Sequence, residues 1–305
     1  MSGSTTARTA PLVPTRSSMT RGMLIVELTG QLGGTRHEAR FITDEVLGAS
    51  GSDGSRVPAE SVAIAHAMVA RRLSGEPLQY VFGHWPFRGL DLVVDPRVLI
   101  PRPETEQVVE VAVSVARRLG AGGDVCLTAL DAGTGSGAIA LALATELPGC
   151  QVWATDASAD ALAVAAVNLE RVRADHPQVA VELTEGNWLE SLPATLRGRI
   201  QLIVSNPPYV SEVEWEGLST EVRSEPREAL VAGMGRDGTP GLADVETVLA
   251  QAFEWMARPG WAVVELAPHQ AEAAVTAARA LGYDEVRVEP DLAGLPRTLV
   301  AAVAR

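Results

Sequence analysis

Asp131-Ala132-Gly133-Thr134-Gly135-Ser136-Gly137 stands between a β-prone segment at 125–130 and a helical one at 138–146. Three glycines at alternate positions let the backbone turn sharply and come close to a ligand. The helix that opens at Ala138 offers free N–H groups at its start. Many nucleotide binders share a glycine loop, so the spacing carries more than the loop itself. Dinucleotide folds favour G-x-G-x-x-G, whereas this run reads D-x-G-x-G-x-G. No Lys-Ser or Lys-Thr pair follows the glycines, which excludes a phosphate-binding P-loop.

Outward from the loop, strand and helix patterns alternate. Strands are expected at 151–155, 179–183, 200–204, 261–266, 285–289 and 298–302, with helices at 138–146, 159–173, 241–256 and 269–281. Such alternation predicts an α/β domain, a mostly parallel sheet with helices on both faces. Ligands of these sheets bind beyond the carboxyl ends of the strands. The second strand ends in Asp156, whose carboxylate can accept hydrogen bonds from both ribose hydroxyls of an adenosine. The third leads into Gly186-Asn187-Trp188, where the indole can flank an adenine ring. Each of these residues also reads as an ordinary turn or core residue when taken alone.

The fourth strand, Ile200-Gln201-Leu202-Ile203-Val204-Ser205, runs into Asn206-Pro207-Pro208-Tyr209. Two prolines stiffen the loop and remove two N–H donors, leaving carbonyls free to accept. An exocyclic amine or a carboxamide NH₂ is planar and weakly nucleophilic. Acceptors for both of its N–H groups favour positive charge building on that nitrogen. The Asn206 side-chain oxygen and the Pro207 carbonyl are suitable. Tyr209 can pack against the planar group.

Toward the N-terminus the texture differs. Residues 1–20 are rich in Ser, Thr, Arg and Pro, lack an apolar core segment, and read as a disordered tail rather than a signal peptide. Residues 21–79 read as a small helical module: two helices between 23 and 48 broken at Gly30, Gly33 and Gly34, a loop to Arg56, and a helix from about Pro58 to Leu73. Tyr80-Val81-Phe82-Gly83 and Leu90-Asp91-Leu92-Val93-Val94 are β-prone runs about a turn at Arg88-Gly89, so 80–100 is expected to be a β-hairpin connector. The main domain then spans 101–305, opening with a helix from Glu104 or Thr105 to Leu119.

The 305 residues suit one large domain and one small one, and 47% hydrophobic content supports a sizeable core. A net charge of −13 argues against a nucleic-acid grip and suits a basic protein partner better. No apolar run approaches the roughly 20 residues needed to span a bilayer. Cys126 and Cys150 form no metal-ligand cluster with the five histidines; they read as small buried apolar residues, and a reducing cytoplasm fits. His269 reads as structural.

Together these residues resemble the HemK/PrmC group, the peptide chain release factor glutamine methyltransferases, within the class I S-adenosylmethionine methyltransferases. Asp131 to Gly137 and Asp156 are shared by the whole class. Asn206 to Tyr209 occurs also in DNA adenine methyltransferases and in some RNA and protein methylases. Narrower likeness lies in Gly75-Glu76-Pro77-Leu78-Gln79-Tyr80-Val81-Phe82-Gly83, Leu99-Ile100-Pro101-Arg102-Pro103-Glu104-Thr105-Glu106, Val222-Arg223-Ser224-Glu225-Pro226-Arg227-Glu228-Ala229-Leu230 and Asp291-Leu292-Ala293-Gly294-Leu295-Pro296-Arg297. The resemblance implies a Rossmann-like, seven-stranded sheet and S-adenosylmethionine as cofactor. It implies cofactor contacts at Asp131, Gly133, Thr134, Gly135, Ser136, Gly137, Asp156, Trp188 and Asn206. It implies substrate glutamine contacts at Asn206, Pro207, Pro208 and Tyr209, with Asn206, Pro207 and Tyr209 catalytic. Arg102 and Glu104 would lie near the site mouth, although they read equally as a polar turn before a helix. No metal is implied. The sulfonium of the cofactor is already a strong electrophile, so orientation carries most of the work and no general base is assigned.

The implied substrate is the glutamine in the Gly-Gly-Gln loop of class I release factors, gripped with help from the helical module, with neither membrane nor nucleic acid as a direct partner. Two departures stand out: the N-terminal module is shorter and glycine-rich, and Glu265-Leu266-Ala267-Pro268-His269-Gln270 only partly follows the family's Glu-x-Gly pattern. Competing readings are a glutamine methyltransferase of another protein, such as a ribosomal protein, a DNA or RNA adenine N6-methyltransferase, and a cofactor-binding protein without turnover.

Overall fold

A computed structural model describes residues 19–120 and 127–304. The expected tail lies outside the described residues except for Met19 and Thr20, as do Cys126 and the start of the strand expected at 125–130. The chain divides into two compact units, Met1–Val81 and Phe82–Arg305.

In the first unit, α1 (Arg21–Gln31), α2 (Arg36–Leu47) and α3 (Ala59–Leu73) form a small helical module. Thr20 caps α1 by accepting from the Met23 N–H. The core is drawn from apolar residues spaced three and four apart: Leu24 and Leu28, Ala39 and Ile42, Ala65 and Val69. Arg21 pairs with Asp44, and Arg72 with Glu38 at 2.9 Å, tying α2 to both of its neighbours.

The run expected to be extended at 80–83 is instead the short helix α4 (Leu78–Phe82). Tyr80 and Val81 are β-prone, but both are buried. The guanidinium of Arg71 donates to both of their carbonyls at 2.9 Å, satisfying the orphan acceptors of the helix end. Gly83, at φ +80, then turns the chain. Local propensity lost to a cation supplied by another helix.

The second unit opens with the hairpin β1 (His84–Phe87) and β2 (Leu90–Val93), antiparallel in register Phe87↔Leu90. Both turn residues have positive φ, Arg88 at 49° and Gly89 at 79°, as tight two-residue hairpins require. The hairpin belongs to the second unit instead of standing between the two. Arg88 clamps it to α5 (Pro103–Gly120) and α6 (Ala138–Glu146) through Glu110 at 2.8 Å and Glu146 at 2.7 Å.

The sheet comprises β3 (Thr128–Ala132), β4 (Gln151–Asp156), β5 (Ala180–Glu185), β6 (Ile200–Ser205), β7 (Met256–Glu265), β8 (Glu285–Pro290) and β9 (Pro296–Val303). Their order is β5-β4-β3-β6-β7-β9-β8, with only β9 antiparallel to its neighbours. Helices α5, α6 and α7 (Ala159–Asp175) pack on one face; α9 (Ala243–Trp255) and α10 (Ala271–Leu281) cover the other, and the short α8 (Glu212–Gly217) follows β6. The strands are apolar on both faces, as a sheet covered twice demands: Leu202 and Val204 face the first core, Ile203 the second. The expected seven-stranded, mostly parallel sheet is present. Its order reverses where β3 lies beside both β4 and β6. That switch point opens a crevice at the strand ends, and the glycine loop and the Asn-Pro-Pro-Tyr loop both emerge there.

Candidate active site

The glycine loop is held by the carboxylate beneath it. Asp131 is fully buried at the end of β3; its Oδ2 accepts from the Thr134 hydroxyl at 2.6 Å and the Ala140 N–H at 3.0 Å. Burial pushes this acid up to about 7. Thr134 and Ser136 are likewise buried, and Gly137 enters α6 in the left-handed region. These four residues brace the loop from behind. Gly133 and Gly135 form its front and line a cavity of about 480 Å³, together with Asp156, Trp188, Asn206 and Pro208.

The cavity has one end suited to a nucleoside. Asp156 closes β4 and is anchored by the N–H groups of Gly135 at 2.8 Å and Ser158 at 2.9 Å, one on each oxygen. Burial raises its pKa, opposed by those donors. Trp188 adopts φ +52, a left-handed conformation that a bulky residue rarely takes, and its ring lies across Gly133. A Cβ at Gly133 would sit 3.0 Å from the indole Cζ3, so glycine there makes room for the ring. Glu228 and Asp244 add acid to the wall against a single basic residue, Arg97, which favours a cationic ligand.

The other end is built around Asn206-Pro207-Pro208-Tyr209. Ser205, just before it, donates to the Ala132 carbonyl at 2.6 Å and so locks the ends of β6 and β3 together. Asn206 Nδ2 donates to Thr105 Oγ1 at 3.1 Å, and Thr105 donates to Glu265 Oε2 at 2.7 Å. The Tyr209 hydroxyl donates to Glu265 Oε1 at 3.2 Å. Tyr209 is held by its backbone as well: Gln270 Nε2 donates to its carbonyl at 2.9 Å and to that of Pro240 at 3.0 Å. Gly241, at φ +72, lies so close that a Cβ would come within 2.2 Å of the same Tyr209 oxygen. Burial and the nearby Glu265 charge raise the tyrosine pKa.

Arg102 does not line the cavity; it pairs with Glu225, whose second oxygen accepts from the Ile100 N–H at 3.0 Å. Glu225 is buried and thereby joins the runs at 99–106 and 222–230. Glu104 acts on Glu265 by charge, opposing its ionisation. Sequence reasoning missed Thr105, Glu265 and Gln270 as site residues. The signal for Glu265 was present: an acid closing a buried strand at the sheet's ligand edge, the argument that singled out Asp156. Among the described residues no helix is long and apolar enough to cross a membrane.

The Methyltransferase small domain family matches residues 124–233. The release factor glutamine methyltransferase of Bordetella pertussis is 39% identical over 279 residues, spanning 90% of this chain and 97% of the relative. That of Moorella thermoacetica is 42% identical over 238 residues, spanning 76% and 77%. Among solved structures, the hMettl16 catalytic domain in complex with the MAT2A 3'UTR hairpin 6 aligns with a TM-score of 0.52 at 15% identity, over 83% of this chain and 86% of that one, a likeness of fold. Identity of this depth over nearly the whole of a relative, on a sheet whose switch point carries both motif loops, makes the chain a member of the release factor glutamine methyltransferase family of enzymes.

Proposed function

We propose that this chain is a cytoplasmic enzyme of translation termination that methylates the side-chain amide nitrogen of the glutamine in the Gly-Gly-Gln loop of class I peptide chain release factors. The observation that carries the reading is the Asn206-Pro207-Pro208-Tyr209 loop, pinned by Thr105, Glu265 and Gln270 beside a cavity that Gly133, Asp156 and Trp188 shape for a nucleoside. The acidic wall fits S-adenosylmethionine, whose sulfonium would supply the methyl group. The backbone at Gly133 and Gly135 would cradle it, Asp156 would accept from its ribose, and Trp188 would flank its adenine. Asp131, Thr134, Ser136 and Gly137 would serve by keeping that cradle in shape.

On the substrate side, the Asn206 side-chain oxygen and the Pro207 carbonyl accept from the two amide hydrogens, and Pro208 and Tyr209 confine the planar group. Acceptors placed there are worth most as the nitrogen acquires positive charge. Arg102 and Glu104 act at one remove: Arg102 pairs with the buried Glu225, and Glu104 bears on Glu265 by charge. The helical first unit docks the release factor, and no nucleic acid contact is needed.

The test uses purified protein and labelled S-adenosylmethionine. A release factor should take up label and its loop Gln→Ala variant should not; equal labelling of both overturns the reading. Duplex DNA and tRNA, offered in parallel, should remain unlabelled. Asn206→Ala should lower turnover on the release factor by about 100-fold or more, read from initial rates.

A further inference from the structure

Three polar side chains far apart in sequence meet behind the acceptor loop. Thr105 lies in the first turn of α5, Asn206 follows β6, and Glu265 ends β7. Glu265 is fully buried and Thr105 nearly so. A carboxylate only accepts hydrogen bonds. The single hydroxyl hydrogen of Thr105 is therefore committed to Glu265 at 2.7 Å. That leaves only lone pairs on Thr105 Oγ1 for its other neighbour, so Asn206 must present its NH₂ there, at 3.1 Å. Oδ1 is then the polar atom that Asn206 turns to the cavity it lines. Rotated by half a turn, the carboxamide would set oxygen against oxygen at Thr105 and offer N–H donors to a ligand that itself brings N–H.

We propose that Thr105 and Glu265 are positioning residues: acting through the Thr105 hydroxyl, the Glu265 carboxylate locks the Asn206 carboxamide in the one orientation that accepts from the substrate nitrogen. This rests on the reading above that a planar NH₂ group is held at Asn206. Tyr209, the second donor to Glu265, ties the far side of the loop to the same carboxylate. Arg297 on β9 favours ionised Glu265 by its charge, and Glu104 opposes it. Burial brings the group up to about 7. A protonated Glu265 carries a hydrogen of its own, frees that of Thr105, and lets the relay run backwards. Orientation is then lost while the fold stays intact.

Thr105→Val removes the hydroxyl and keeps the shape. It should lower kcat for the release factor by about 10- to 100-fold, with S-adenosylhomocysteine affinity within about twofold of wild type. Thr105→Ser should recover most of that loss. Wild-type kcat should fall as pH drops below about 7, and Glu265→Gln should be slow with this acid limb abolished. Thr105→Val turning over within about threefold of wild type, Thr105→Ser as poor as Thr105→Val, or an unchanged acid limb in Glu265→Gln overturns the proposal.

No labelling of the release factor by wild type would instead refute the functional reading. The relay is then decided without turnover, by the Asn206 side-chain amide protons in a ¹⁵N spectrum, assigned against Asn206→Ala. Their protection, taken relative to the base-catalysed rate of a free asparagine amide at each pH, should be high at pH 8 and fall as Glu265 protonates. Protection that stays constant from pH 8 to 6 in wild type, or that is the same in Thr105→Val as in Thr105→Ser, overturns it.

Discussion

Gly133 and Asp131 lie two residues apart and respond to different perturbations. Gly133 needs both its positive φ of 79° and the space that Trp188 occupies. Alanine there should cost about 1–2 kcal/mol in left-handed strain and push the indole away. S-adenosylhomocysteine affinity, measured by calorimetry, should fall roughly tenfold, the equivalent of about 1.4 kcal/mol. Asp131 governs stability. Its pKa is about 7 in the folded protein against 3.8 as the ordinary value, so between those pH values the native state holds a proton that the unfolded chain gives up. The stabilisation contributed by this group is therefore full below pH 3.8 and is lost as pH rises toward 7, on the order of 4 kcal/mol across the window. Asparagine has the same shape and does not titrate. Asp131→Asn should flatten this fall, read from urea denaturation at several pH values; an unchanged slope counts against it. Glu265, also raised to about 7, contributes with the same sign and remains in the variant. At this scale the sequence made legible which residues meet: Asp156, Trp188 and Asn206, singled out for following strand ends, line one cavity. Thr105 was not, because its role depends on a partner 160 residues away.

Elements were legible where periodicity and burial agree. The sheet strands and α1 to α3 follow from apolar spacing and the breaks at Gly33 and Gly34, whereas Gly30, expected to break the helix, lies inside α1, and strand ends differ from expectation by a few residues, as at β7, which begins at Met256 and not 261. The helix α4 was illegible, because Arg71 supplies its end from outside the run. Placement of the hairpin was also hidden. Asn168 on α7 exchanges hydrogen bonds with Val93 at 2.7 and 3.0 Å and donates to the Ser136 carbonyl at 2.9 Å, joining β2 to the glycine loop. A fully buried asparagine in a helix of alanines and valines gives no local sign of this. Asn168→Ala strands several buried groups at once and should destabilise the protein by about 2–4 kcal/mol. Faster amide exchange at Val93, ahead of residues elsewhere in the second unit, would show that the hairpin loosens first; protection equal to wild type would refute it.

For the whole molecule, the net charge of −13 sets how a partner is met. A basic protein substrate should be steered toward the enzyme, and salt should screen that attraction. KM for a release factor that docks through a basic face should rise several-fold between about 50 and 300 mM salt, with kcat little changed; a flat KM would mean docking owes nothing to charge. The class of fold and the crevice at the strand switch point were readable from strand–helix alternation. The order of the strands on the far side of β7 was not, since nothing local says that β9 enters between β7 and β8.

That insertion bears on how the protein is made. Synthesis runs in one direction, yet β8 is translated before the strand that separates it from β7. Until Pro296–Val303 has emerged, β8 has no partner and β7 presents a bare hydrogen-bonding edge, the template on which chains aggregate. A polypeptide halted between Gln270 and Pro296 would contain Thr105, Asn206, Tyr209, Glu265 and Gln270, with Glu265 at the end of a strand paired on one edge only. Ribosomes that stall there should yield insoluble product and no activity, although every side chain assigned to the chemistry has been incorporated.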